Sequence, residues 1–281
     1  MCNFIDNLDF ETLQLIGRPR VNFKDIIKSL LVMSFNGMSY RRTQPDLKKM
    51  QEEGLLYYSP PKSTLNDYCN NENTLNLLEK LIRASSLFFI ENENTLIIDS
   101  TWLAKNMYNG GHRKVHDKKH CSFDQTRKLH IAILKNSKII TYAKAGAGTT
   151  ADCPLFEEMI NQVVNDGFLI ENVLADAAYS SKDNYALCKR LGIMGVYIDF
   201  RSNASYTRSK SDIWKEKLKL FKEQKAIWKE SYRYRILVEQ VFSAIKRKMV
   251  NYLRSRNDVS QDIELLLKCL VYNLTVIGKY S

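Results

Sequence analysis

The stretch with the most chemical content is Tyr232-Arg-Tyr-Arg235-Ile-Leu-Val-Glu239-Gln-Val-Phe-Ser-Ala-Ile-Lys246. At about 100° per residue, positions 232, 235, 239 and 246 share a helical arc of about 60°. Leu237, Val238, Val241, Phe242, Ala244 and Ile245 take the opposite side. Such a helix seats its apolar face on a core and presents one carboxylate bracketed by a tyrosine, an arginine and a lysine. Alone, Glu239 is equally well explained as the i,i+4 partner of Arg235. Two further acids change the balance. Thr95-Leu-Ile-Ile-Asp99 and the run from Leu169 to Ala175-Asp176 are apolar segments closing in a carboxylate, the pattern of a buried strand with an acid at its tip. Neighbouring strands would set Asp99 and Asp176 side by side, and Glu239 would descend on them from its helix. Three converging carboxylates repel one another unless a cation neutralises them. With hard oxygen donors and no His/Cys site, that cation would be Mg²⁺ or Mn²⁺, completing its shell with water and phosphate oxygens.

Other residues compete for these roles. Asp152 lies in a Gly- and Thr-rich loop before Cys-Pro, and Asp199 ends another strand, so either could supply a ligand, whereas Asp183 begins or caps a helix. His112, His116 and His120 are spaced four apart beside Cys121, which on a helix would suit zinc. The preceding Gly110-Gly111 and the interleaved Arg113, Lys114, Lys118 and Lys119 argue instead for a basic loop that contacts phosphates near Asp99. His130 sits in a strand pattern and reads as a core histidine.

The elements that must position these groups follow from periodicity. Residues 1–90 read as helical: Phe23, Ile26, Ile27, Leu30 and Leu31 recur at helical spacing, Thr43 would cap a helix with Pro45 in its first turn, and Ser63 or Thr64 would open another. Exposed Arg41, Arg42, Lys48 and Lys49 would suit a helix-turn-helix module that binds DNA, or the region packs as a plain helical subdomain. The period changes near residue 94. Leu129–Leu134 and Lys138–Tyr142 read as a hairpin, 154–166 and 181–191 as helices, and 195–200 as a strand. Strands alternating with helices imply an α/β unit over 91–281, a mixed sheet flanked by helices. A basic helical insertion occupies about 201–231, in which Ile213/Trp214, Leu220/Phe221 and Ile227/Trp228 recur every seven residues as a packed aromatic face. The final helix, 260–277, is amphipathic and structural.

Length and charge bound the answer. The chain has 281 residues, 44% hydrophobic and 26% charged, with a net charge of +11. Residues 201–256 carry 16 basic and 5 acidic side chains, and 105–128 carry 7 and 2, so the excess is concentrated on two surfaces suited to a polyanion. Neither a signal peptide nor an apolar run of roughly 18 residues is visible, so a cytoplasmic protein with no membrane partner is expected. The six scattered cysteines, with no Cys-x-x-Cys, read as free thiols.

Tyr232, two residues, Arg235, three residues, Glu239, six residues, Lys246 resembles the Tyr-Arg-Glu-Lys signature of prokaryotic insertion-sequence transposases of the DDE type. Ile97-Ile-Asp99-Ser-Thr101 resembles that family's first-acid block, Lys128-Leu-His-Ile-Ala132 its second strand, Pro154-Leu-Phe-Glu-Glu158 the following helix, and Val173-Leu-Ala-Asp176-Ala-Ala-Tyr179 its second-acid block. Tyr272-Asn-Leu274 is similar to its closing helix, so the likeness spans about 94–280. Ala177-Ala178 departs from the commoner glycine-containing pairs, and residues 1–90 match no particular DNA-binding module. The resemblance implies a ribonuclease-H-like core in which Asp99, Asp176 and Glu239 hold two divalent cations, Mg²⁺ or Mn²⁺. It also implies that Tyr232, Arg235 and Lys246, with Arg247 alongside, grip phosphates. The partners implied are double-stranded DNA, as terminal repeats and target, and a second copy of the chain, because two ends must be handled together.

Overall fold

A computed structural model describes residues 2–8, 22–107, 125–200, 204–205 and 211–280. The segment expected to form a basic loop, with Arg113, Lys114, Lys118, Lys119, His112, His116 and His120, lies outside the described residues.

The N-terminal region is helical: α1 (Cys2–Asp6), α2 (Phe23–Phe35), α3 (Tyr40–Glu52), α4 (Lys62–Tyr68) and α5 (Glu72–Ser86). Asn22 and Asn71 cap α2 and α5, each side chain accepting from a backbone N–H two residues on. Helix α3 starts earlier than Thr43. Ser39 takes the N-cap position, Pro45 stands inside the helix, and the Thr43 hydroxyl turns back to donate to the Ser39 carbonyl at 3.1 Å. Thr43 is buried, so its side chain serves packing rather than an exposed cap. Arg41, Arg42, Lys48 and Lys49 are all exposed on α3.

Among the described residues five strands follow: β1 (Thr95–Ala104), β2 (Thr126–Leu134), β3 (Ile140–Ala147), β4 (Asn172–Ala175) and β5 (Gly195–Ile198), in the order β3-β2-β1-β4-β5. The pairs β1·β2 and β2·β3 are antiparallel, while β1·β4 and β4·β5 are parallel. Helices α6 (Leu155–Asn165) and α7 (Lys182–Arg190) provide the connections that parallel strands require. Then come α8 (Asp212–Glu223), α9 (Lys225–Tyr232), α10 (Ile236–Lys248) and α11 (Asp258–Ile277). The result is the expected mixed sheet flanked by helices.

Strand alternation divides the core in two. Ile97, Leu103, Leu129, Ile131 and Leu174 face a cluster shared with α10, α11, α5 and α2. Ile98, Ala132, Val173, Ala175 and Ile198 face α6, α7 and the aromatic side chains of the insertion. There Trp228 is 2% exposed, packed on Tyr197, Phe200 and Phe221, as the aromatic reading of this segment predicts. Its neighbour Ile227 is exposed, because the helix breaks at Gln224 and the seven-residue register is not kept.

Two strand readings need correction. Leu169 lies outside β4 and is exposed, so the strand is four residues long. Asp99 is not at the tip of β1, which runs five residues further, paired with β2 as far as Ala104↔Thr126. What ends at Asp99 is the parallel half of the sheet: the β1·β4 ladder closes with Ile98↔Ala175. Gly195 keeps the next ladder tight, since a Cβ there would stand 1.9 Å from Asn172 Oδ1.

Candidate active site

The register places Asp99 and Asp176 immediately after the last β1·β4 pair, on the same face as Ile97 and Leu174. Asp199 follows the last β4·β5 pair, its N–H donating to the Ala175 carbonyl at 3.2 Å. Because neighbouring strands lie about 4.8 Å apart, Asp176 is one spacing from Asp99 and Asp199 about two. Among the rival acids this favours Asp176 as the partner of Asp99. Asp152 is a weaker rival still, for it lies against the opposite face of β1.

Helix α10 crosses the Asp99 face. Val238, Val241, Phe242 and Ile245 are buried against the core, leaving Glu239 exposed in the first turn and Lys246 half-buried in the last. The stripe from Tyr232 to Lys246 is not one regular α-helix: α9 ends at Tyr232 and a 3₁₀ turn spans Arg233–Arg235. At three residues per turn rather than 3.6, that turn rotates Tyr232 away from the ideal arc. Arg235 and Glu239 remain paired, Nη2 to Oε1 at 2.7 Å, and the same guanidinium donates through Nη1 to Asp99 Oδ2 at 2.6 Å. The Arg235 cation thus stands between two of the three candidate acids. Its guanidinium carbon lies 5.9 Å from the centre of the Tyr232 ring. Lys246 Nζ donates to Thr101 Oγ1 at 2.7 Å, and burial lowers the affinity of its amine for a proton. Arg247 is exposed beside it.

Burial pushes the Asp99 carboxyl up to about 6, against the opposing effects of the Ser100 N–H and Arg235, and the charges of Asp176 and Glu239 push it the same way. Asp99 therefore feels the charge of both other acids. Among the described residues no three His, Cys, Asp or Glu side chains stand close enough to hold an ion together. The fit to a hard divalent cation is one of chemistry: all-oxygen donors, mutual repulsion, and a gap between Asp99 and Glu239 that already takes the positive charge of Arg235.

Behind Asp99 lies a polar cluster that the sequence reading did not assemble. Ser100 Oγ donates to Asp152 Oδ1 at 2.6 Å, and Lys128 Nζ donates to Asp152 Oδ2 at 2.6 Å and to the Thr150 carbonyl at 3.0 Å. His130 Nδ1 lies 3.3 Å from Asp152 Oδ1 and 3.3 Å from the Tyr179 hydroxyl. The available signal was Lys128 and His130 alternating inward along a strand whose second half is apolar, a costly placement unless partners await them.

A helix-flanked mixed sheet in the order β3-β2-β1-β4-β5, antiparallel on one side of β1 and parallel on the other, is a ribonuclease-H-like architecture. Residues 91–274, about two thirds of the chain, match the transposase DDE domain family, and the chain belongs to that family. No curated protein matches it. Among solved structures, a piggyBac transposase synaptic complex with hairpin DNA is 12% identical, covering 99% of this chain and 71% of that one at a TM-score of 0.40. The Drosophila P element transposase strand transfer complex is 14% identical at a TM-score of 0.35, covering 65% of this chain, which spans only 42% of that one. A Mos1 transposase paired-end complex is 8% identical at 0.27, with coverages of 78% and 81%. Among the described residues no helix is long and apolar enough to cross a membrane.

Proposed function

We propose that this protein is an insertion-sequence transposase of the Tyr-Arg-Glu-Lys type, cutting double-stranded DNA at the terminal repeats of its element and joining the ends to a target. The observation that supports this most directly is the convergence of Asp99 and Asp176 at the end of the parallel strand pair, with Glu239 tied to Asp99 through Arg235. Asp99, Asp176 and Glu239 would hold two divalent cations, Mg²⁺ or Mn²⁺, which supply activation of the attacking oxygen and stabilisation of the departing one in in-line displacement.

The remaining roles belong to the chain's own side chains. Arg235 offers a planar fork to a phosphate beside the scissile bond, and Lys246 a point charge about three helical turns further on. Tyr232 flanks the Arg235 guanidinium and limits its swing. Arg247, with Arg113, Lys114, Lys118 and Lys119, would hold the flanking backbone. The helical region over residues 1–90 would bind the terminal repeats through the exposed basic face of α3, and a dimer on DNA would bring two ends together.

The test is strand transfer in Mg²⁺ with DNA bearing the inverted repeats that flank the reading frame. Wild-type protein joins these ends, and Asp99→Ala, Asp176→Ala and Glu239→Gln each lose the product. Joining at the wild-type rate by any variant removes that acid from the site. Cleavage without joining by the wild type would make the protein a metal-dependent endonuclease instead.

A further inference from the structure

The cluster around Asp152 connects the two segments that carry the sheet-end acids. Ser100, whose hydroxyl Asp152 accepts, is the residue after Asp99, and Tyr179, which meets His130, stands three residues after Asp176 at the end of a 3₁₀ turn, Ala177–Tyr179. Lys128 and His130 lie opposite Trp102 and Ser100 in the β1·β2 ladder, on the face away from α10. Asn184 adds a second strap, donating to the Tyr179 carbonyl at 2.7 Å and to the Cys153 carbonyl at 3.4 Å, next to Asp152. Lys128, His130 and Tyr179 are 3%, 0% and 0% exposed.

Such a cluster has an energetic reason to be rigid. Burial raises the Asp152 carboxyl, but hydrogen bonds from His130, Lys128 and Ser100 outweigh it and hold the group well below the usual carboxylate range. Asp152 is therefore a fixed anion with a buried lysine as counter-ion, and moving it strands that cation. With Nδ1 directed at Asp152, His130 keeps a buried Nε2 that has no hydrogen-bond partner among the described residues.

We infer that Asp152 is a positioning residue, fastening the Asp99 and Asp176 segments together from behind the sheet and so setting the carboxylate spacing on which divalent-cation affinity depends. The inference rests on the assignment of Asp99 and Asp176 as metal ligands. Changes to groups that orient metal ligands typically weaken metal affinity 10–100-fold. A residue that only supports folding would lower the amount of active protein and leave the affinity of the remainder unchanged.

The experiment measures Mn²⁺ binding and Mn²⁺-dependent nicking of supercoiled plasmid by the full chain. Free Mn²⁺ is followed by electron paramagnetic resonance in the presence of plasmid, and nicking is titrated with Mn²⁺ for wild type, Asp152→Asn and Ser100→Ala. Circular dichroism reports folding. The expected result is a half-saturating Mn²⁺ concentration raised about tenfold in Asp152→Asn and about threefold in Ser100→Ala, with matching loss of bound Mn²⁺ in the resonance titration. Folded variants that bind Mn²⁺ like wild type, or that lose only the nicking plateau, overturn the inference; Ser100→Ala, which keeps the Lys128–Asp152 pair, decides it if Asp152→Asn does not fold. An Asp99→Ala variant separates the two levels. Wild-type Mn²⁺ uptake and nicking in Asp99→Ala would refute the ligand assignment itself, whereas their loss there alongside unchanged Asp152→Asn and Ser100→Ala would refute only the positioning role.

Discussion

Removing the Arg235 guanidinium should tighten metal binding while abolishing strand transfer, an unusual pairing for one substitution. In the protein alone, Arg235 holds Asp99 at 2.6 Å and Glu239 at 2.7 Å, so an ion reaching these carboxylates must first displace it. The Asp99 contact is largely buried, with side chains 21% and 13% exposed, and charge-assisted hydrogen bonds of this kind contribute about 1.5–3 kcal/mol. Glu239 is half exposed, so its share is that of a solvated i,i+4 pair, about 0.3–0.5 kcal/mol. The competition therefore amounts to about 2 kcal/mol, and at about 1.4 kcal/mol per factor of ten its removal would raise affinity roughly thirtyfold. Arg235→Ala, titrated with Mn²⁺ without DNA and followed by electron paramagnetic resonance, should bind more tightly than wild type by a factor of ten or more. Strand transfer by the same variant should fall by at least 100-fold, because the phosphate fork is gone. A folded Arg235→Ala protein whose Mn²⁺ affinity equals or falls below that of wild type would refute the competition.

Other substitutions test other parts of the structure. Asn273 is buried and joins α11 to β3 and α5, accepting from the Ile140 N–H at 2.9 Å and donating to the Ile140 carbonyl at 2.7 Å and Ser85 Oγ at 2.8 Å; Asn273→Ala should cost about 2–4 kcal/mol in urea unfolding by leaving those groups unpaired. Asp152 predicts a pH dependence. Its carboxyl is depressed in the folded state, so its stabilisation is fully present above the ordinary carboxylate value near 4 and is lost as pH falls through the folded value, and the stability gap between wild type and Asp152→Asn should shrink steadily below pH of about 4. Lys246→Met should weaken binding of element-end DNA and of unrelated DNA to a similar degree and reduce the slope of log affinity against log salt by about one, as measured by fluorescence anisotropy. Arg247→Ala, on the exposed side of α10, should do the same without altering the Mn²⁺ requirement.

What the sequence could and could not disclose follows from where the ordering forces act. The strands were legible because β1 over 95–99 and β4 over 173–175 are buried on both faces and β5 on one, so that each reads as a short apolar run, and α10 because its apolar positions keep helical spacing against the core. Boundaries failed where a neighbour rather than the local sequence decides: β1 continues past Asp99 only because β2 remains beside it, and α3 begins before Thr43 because that threonine is drawn into the interior. The Asp152 cluster was illegible for a different reason. Its members come from residues 100, 128, 130, 152 and 179, and no periodicity connects a strand serine to a loop aspartate 52 positions away. Only the register, with Ser100 opposite His130, brings them together. The same register produces the candidate site: alternation puts Asp99 on one face of β1 and Ser100 on the other, so the residue offered to a cation and the residue anchored behind it are consecutive in the chain. A one-residue slip of β1 would exchange them, burying the Asp99 carboxylate beside that of Asp152 and turning the serine toward Glu239. The polar cluster thus specifies the register that the catalytic reading requires, and its buried charges select against the slipped alternative more strongly than the apolar pattern of Leu96, Ile97 and Ile98, which would pack on either face.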